Sequence, residues 1–219
     1  SRLANPARDD TVCTIVQVVQ PPGGEEPLYH AVDDFVDQGA RFFEGHHGRD
    51  SLAARLLAYL ETWSVLHLVA DATGVGEGLV DWLAARLGRH AVTPFKFTRL
   101  SKAALGAAFL ALVETGRFKY WIDDLEDVGS DGWWFWQQAA HCLYELPPGG
   151  LLQRDLRWFV PASARVSTPL GSRPVHDDRL LSAALVAEAD RLIKERKLLF
   201  VEAHSAVLPG IDPLTDLDF

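Results

Sequence analysis

Asp71 closes a near-continuous apolar run, Ser64-Val-Leu-His-Leu-Val-Ala70, and Thr73-Gly74-Val75-Gly76 follow at once. A carboxylate at the C-terminal end of a buried strand stands where α/β proteins place their chemistry. A second acidic cluster, His176-Asp177-Asp178, precedes another apolar stretch far along the chain. Carboxylates held by rigid elements at two such places suit a hard divalent cation, which prefers oxygen ligands. Two other readings compete for the glycine segment. Its amides could face an anion at a helix N-terminus, or it could be only a tight strand–helix turn beside an exposed Asp. The carboxylate precedes the glycines and would crowd a pyrophosphate, and no Lys-Ser or Lys-Thr ending completes a phosphate loop. For Asp177 and Asp178 the plain alternative is helix capping, which needs one carboxylate rather than two. His176 reads as a general acid/base, a supporting group or a turn residue.

Other chemistry-bearing residues are read more plainly. Lys102, after Phe97-Thr98-Arg99-Leu100-Ser101, would neutralise phosphate near the strand ends or sit solvated in a first helical turn. Arg154, Arg157, Arg165 and Arg173 form a locally basic segment opposed by Asp155 alone. The run Trp133-Trp134-Phe135-Trp136 could stack on bases. Four consecutive aromatics on a helix point all round, so core packing of at least two is expected. His46-His47 lacks a partner at metal spacing and reads as loop, as does Asp9-Asp10. No Ser/His/Asp or Cys/His arrangement is present.

These groups need a scaffold, and the 219 residues with 48% hydrophobic content can build one. One domain over 1–219 is expected, with a core of about 9–193 and a C-terminal tail of about 194–219. Met is absent even at the start, which reads as an excised or processed piece. The net charge of -9 argues, taken alone, against nucleic-acid binding, which needs Lys and Arg on phosphates. Cys13 and Cys142 lack metal spacing and read as reduced buried thiols, which fits a cytoplasmic location. No signal peptide or membrane span is visible.

Periodicity predicts strands at Thr11–Gln20 and Leu28–Val36 as a hairpin across Pro21-Pro22-Gly23-Gly24. A helix over Ser51–Thr62, a central parallel strand over Val65–Ala70 and a helix over Glu77–Leu87 follow. A strand at Val92–Phe97 leads to a helix from Lys102 to Thr115 capped by Ser101, then a short extended piece at Arg117–Trp121. Asp123–Asp131 reads as an acidic loop, Trp133–Glu145 as a helix, and Leu151–Val160 with Ala164–Leu170 as paired extended segments. One helix from Asp177 or Asp178 through Ile193 and a late strand at Leu198–Glu202 complete the chain. The fold class expected is α/β, a mixed sheet with helices on both faces.

Taken in order, several elements resemble one family. They are Asp71-Ala-Thr-Gly-Val-Gly after a strand, the Phe97-Thr-Arg-Leu-Ser-Lys102 link, and the helix ending Glu114-Thr-Gly-Arg-Phe. Leu143-Tyr-Glu-Leu146 and His176-Asp177-Asp178 before an Ala-rich helix follow. This order resembles the C-terminal nuclease domain of the large subunit of viral DNA-packaging terminase, over about residues 9 to 193. The resemblance implies an RNase H-like mixed sheet and two-metal cleavage of double-stranded DNA during genome packaging, with two Mg²⁺ or Mn²⁺ ions. It implies Asp71 and Asp177 as main ligands and Asp178 as an accessory one. Lys102, Arg154, Arg157, Arg165 and Arg173 would lie towards DNA. The terminase ATPase domain and a portal would be partners in the assembly, with the isolated domain a monomer in host cytoplasm. The family's first metal ligand lies on a strand preceding the Thr11 strand, and no such strand is present in this sequence. A catalytically inactive interaction module and a nucleotide-binding protein using Gly74–Gly78 are the competing expectations.

Overall fold

A computed structural model describes residues 10–38, 51–74, 76–121, 127–145 and 157–195. The expectations for Asp9, His46-His47, Leu151–Arg154, Leu198–Glu202 and the tail lie outside these residues. The expected hairpin forms from β1 (Asp10–Val19) and β2 (Leu28–Gln38), which pair antiparallel. Their β-branched and aromatic residues suit a pleated surface packed on both sides.

A bulge interrupts the register between Ile15 and Val16, leaving Val32 as the extra residue on β2. Because side chains alternate with period two, the bulge switches which β2 residues face which side. Before it Tyr29 and Ala31 face one core with Val16 and Val18; beyond it Asp34 takes that side and Phe35 faces the other core with Cys13 and Ile15. The hairpin is therefore covered on both faces. Burial pushes the Cys13 thiol up to about 12, with the Asp34 charge adding to it, so this cysteine stays protonated. Both cysteines are free of disulfides.

One core holds α1 (Leu52–Thr62), β3 (Leu68–Asp71) and α2 (Gly76–Leu87) through Leu56, Leu60, Leu68 and Leu83. Ser51 caps α1, its hydroxyl accepting from the Ala54 N–H. β3 pairs parallel with β4 (Val92–Phe95), and among the described residues with no other strand. The second core holds α3 (Arg99–Glu114), β5 (Phe118–Lys119) and α4 (Asp131–His141). β5 lies parallel to β2, making a mixed three-stranded sheet β1-β2-β5. The class is thus α/β with helices on both faces.

Several boundaries differ from expectation. Helix α3 starts at Arg99, because Thr98 and Ser101 form a reciprocal capping box; Ser101 is the third helical residue rather than the cap. Helix α4 stops at His141, and Leu143–Glu145 becomes β6, antiparallel to β7 (Arg157–Phe159). The three residues of β6 are exposed and have no core-facing stripe to hold a further helical turn. Among the described residues, Arg157–Phe159 and Arg165–Thr168 of the two expected extended segments therefore do not pair with each other. β8 (Arg165–Thr168) pairs instead with β9 (Gly171–Pro174) across a tight turn, where Gly171 takes φ 106°.

The closing helix is two helices, α5 (Asp178–Ala184) and α6 (Val186–Lys194), bent at Leu185. The bend lets α5 run along β1 while α6 packs on α3. It also delivers Asp190 to the buried Tyr29 hydroxyl at 2.8 Å and to Arg117. In α4, Trp133 and Phe135 are buried as expected, and Phe135 stacks on Tyr120 at 3.6 Å between centroids. Among the described residues no helix is long and apolar enough to cross a membrane.

Candidate functional site

Asp71 is the last residue of β3 and is exposed. Its Oδ1 accepts the Thr73 N–H at 2.8 Å, which folds the chain back into a turn. The Thr73 hydroxyl oxygen accepts the Phe97 N–H at 2.8 Å, and the Ala72 N–H donates to the Phe95 carbonyl at 2.8 Å. These bonds tie the ends of β3 and β4 together. Gly74 adopts φ 57°, and a Cβ at Gly76 would strike the Asp71 carbonyl oxygen. Both glycines are thus accounted for by the turn itself, without an anion to cradle.

β4 feeds the capping box that starts α3, and the box places Lys102 in the first turn, just beyond the Thr73–Phe97 bridge. Lys102 Nζ lies 3.0 Å from Asp177 Oδ2. Its carbonyl oxygen accepts the Trp158 indole N–H at 2.7 Å, and the ammonium lies 5.8 Å from the centre of that ring. Trp158 in turn packs where a Cβ on Gly106 would collide with it. Lys102 is therefore held in register from β7.

Asp177 occupies the N-cap position of α5 but makes no side-chain cap bond. An Asp at this position ordinarily accepts from an N–H of the first turn; here the carboxylate is directed to Lys102 instead. Burial, and after it the Asp177 charge, pushes the nearby Cys142 thiol up, and the Lys102 charge pulls partly back. Asp178 points elsewhere, its Oδ2 accepting the Asp10 N–H at 2.9 Å. Ser182, one turn further along α5, accepts the Thr14 N–H at 3.0 Å. The outer edge of β1 is thus met by side chains of α5.

Among the described residues, Arg157, Arg165 and Arg173 do not share a strip. Arg157 is exposed on β7 opposite Glu145. Arg165 pairs in register with Pro174, and Arg173 with Val166. Alternation therefore sends Arg165 and Arg173 to opposite faces of the β8–β9 hairpin. Arg165 bonds Ser172 at 3.1 Å, and Arg173 lies 6.0 Å from the centre of the Trp134 ring. Leu170 caps the hairpin, 88% exposed. Arg154 lies outside the described residues. β9 runs within three residues of Asp177, so the hairpin and this carboxylate are parts of one arm.

Among the described residues no three His, Cys, Asp or Glu side chains converge on a point that could hold a metal. Asp177 offers one carboxylate, and its oxygen is paired with the Lys102 ammonium.

The chain matches no protein-family model, no curated protein and no solved structure.

Sequence reasoning passed over Trp158, Gly106, Asp10 and Arg179. Asp10 is no loop residue: it starts β1 and faces Arg179, which is 4% exposed and also binds Asp131 at 2.6 Å. Asp34 is buried beneath this cluster and accepts from the Tyr120 hydroxyl. Burial pushes its carboxyl up to about 6, against the pull of the Tyr120 and Thr14 hydroxyls and of Arg179. No local signal marks a buried Arg–Asp group, because its members come from four separate elements.

Proposed function

We propose that this chain is an RNase H-like nuclease domain that cleaves double-stranded DNA with Mg²⁺ or Mn²⁺, in the manner of the viral packaging nuclease it resembles. The observation that carries the reading is Asp177. It is placed to cap a helix and does not, and its carboxylate is presented to Lys102 in the first turn of the helix that β4 leads into. In this reading Asp71 and Asp177 hold the metal through hard oxygen atoms. Paired ions would orient water and stabilise the leaving oxygen. Arg165 and Arg173, on the arm that leads into Asp177, contact the DNA backbone. Duplex DNA, a packaging ATPase and a portal are the partners proposed.

Asp178 joins the site only if its hold on the Asp10 amide is released. β2 already has neighbours on both edges, so a further strand beside the hairpin would enter at the outer edge of β1. There it would take over the Asp10 and Thr14 amides, which α5 side chains now hold.

Plasmid nicking in Mn²⁺ tests the reading. Asp71→Ala and Asp177→Ala should each abolish it, and nicking by Asp71→Ala at the wild-type rate sinks the assignment. A second reading, an inactive nuclease-fold interaction module, draws on the absence of three convergent ligands among the described residues. It predicts no cleavage and no ion near Asp71 or Asp177 in metal-soaked crystals.

A further inference from the structure

We propose that the outer face of α3 is a self-association surface, on which a second copy of this chain docks antiparallel about a two-fold axis. Such association is independent of the nuclease reading above and departs from the monomer that the resemblance implies. Helix α3 turns Leu105, Phe109 and Leu112 into the core. On its opposite side Leu100, Ala104, Ala107, Ala111 and Glu114 recur at steps of four, three, four and three. That is the spacing of a helix–helix seam. Leu100 is 55% exposed, Ala104 and Ala111 are exposed, and Ala107 is half-buried. Between Lys102 and Glu114 the helix carries no charged residue. A surface helix ordinarily shows charged and polar residues on its solvent side. Alanines along the seam let two helix axes approach to the short end of the packing range, about 8 Å.

The charges at the two ends of α3 point to the occupant. Arg99 opens the helix and Glu114 closes it, and each has the wrong sign for its own end: the first turn favours anions and the last turn cations. Both are exposed, and among the described residues neither side chain has an ion-pair partner. A second α3 lying antiparallel corrects both. Arg99 then meets the last turn of the other copy and its Glu114, and the two-fold axis makes the same pair again at the far end. In that register Leu100 lies against the aliphatic stem of Glu114, Ala104 against Ala111, and Ala107 against its own copy on the axis. A parallel copy would instead set Arg99 on Arg99 and Glu114 on Glu114. The 16 residues of α3 make a rod of about 24 Å. One helix pair of that length buries less than a standard interface, so a dissociation constant of about micromolar or weaker is expected.

Sedimentation equilibrium of the 219-residue chain, from micromolar to millimolar concentration, tests this. Wild type should pass from monomer to dimer, and added salt should weaken the dimer because the end pairs are exposed. Ala104→Glu and Ala111→Glu each place a good helix former at an exposed helical position, so the circular-dichroism melt at low concentration should stay as it is. Each should raise the dissociation constant at least about tenfold by setting a charge inside the seam. Arg99→Glu or Glu114→Arg alone turns two attractions into repulsions and should weaken association by about tenfold. Arg99→Glu combined with Glu114→Arg restores the pairs and should associate more tightly than either single variant. A chain that stays monomeric to millimolar concentration overturns the proposal. So does a dimer unmoved by both Ala104→Glu and Ala111→Glu, or a double charge variant as weak as the single ones.

Discussion

Gly106→Ala sets two effects of opposite sign against each other at one position. Gly106 lies inside α3, where replacing glycine by alanine ordinarily stabilises by about 1 kcal/mol. Here the new Cβ would lie inside van der Waals contact of three indole atoms of Trp158, with Cε2 at 2.7 Å. The indole is 7% exposed and its N–H is committed to the Lys102 carbonyl at 2.7 Å, so it cannot move without losing that bond. Overpacking a closed contact costs about 1–3 kcal/mol. The hydrogen bond adds about 1 kcal/mol if it breaks. The net expectation is destabilisation by about 1–3 kcal/mol once the helix gain of about 1 kcal/mol is subtracted. For a chain of this size that lowers the melting temperature by roughly 2–4 °C per kcal/mol. Urea denaturation measures it directly. The decisive control is Trp158→Ala: with the indole gone, Gly106→Ala should become stabilising by about 1 kcal/mol. The same sign in both backgrounds, or a stabilised single variant, would refute the argument that Trp158 and Gly106 are fitted to each other.

Two further predictions concern the buried charges. Asp34 has its folded pKa raised to about 6 from 3.8, so its stability contribution is full below about pH 4 and is lost as pH rises through 6. Asp34→Asn should therefore gain on wild type by up to about 3 kcal/mol between pH 4 and pH 7, and a pH-independent difference in urea titrations would contradict this. Arg117 is buried among Asp190, the Glu26 carboxylate at 2.8 Å and the Pro27 carbonyl at 3.0 Å. Burial alone would raise the Asp190 pKa, but bonds from Arg117, Tyr29 and Lys194 outweigh it and hold the carboxyl below its usual range. Arg117→Met should cost about 3 kcal/mol by stripping Asp190 of its main partner, whereas Arg117→Met with Asp190→Leu should recover most of it. Equal losses in the single and double variants would show that the pair is not the source.

How much of this was legible in the chain depends on the range of the interaction involved. The hairpin, helix α1 and the placing of Asp71 at a strand end all follow from residues within a few positions of one another. Periodicity and turn chemistry act over that distance, and so a reader of the sequence can use them. The capping box hid the true start of α3, since Thr98 and Ser101 both look like caps and only their mutual hydrogen bonds order them. The bulge at Val32, which turns Asp34 rather than its neighbour towards Tyr120, depends on strand register and has no local signature. The use of Asp177 likewise belongs to the tertiary structure. By itself the sequence determined that an acidic pair stands at a helix start. Only the packing of β7 on α3, and of α5 along β1, decided that Asp177 meets Lys102 while Asp178 holds the Asp10 amide. The physical reason is that a carboxylate takes whichever donor the fold brings within reach, and these donors come from residues 75 and 168 positions away.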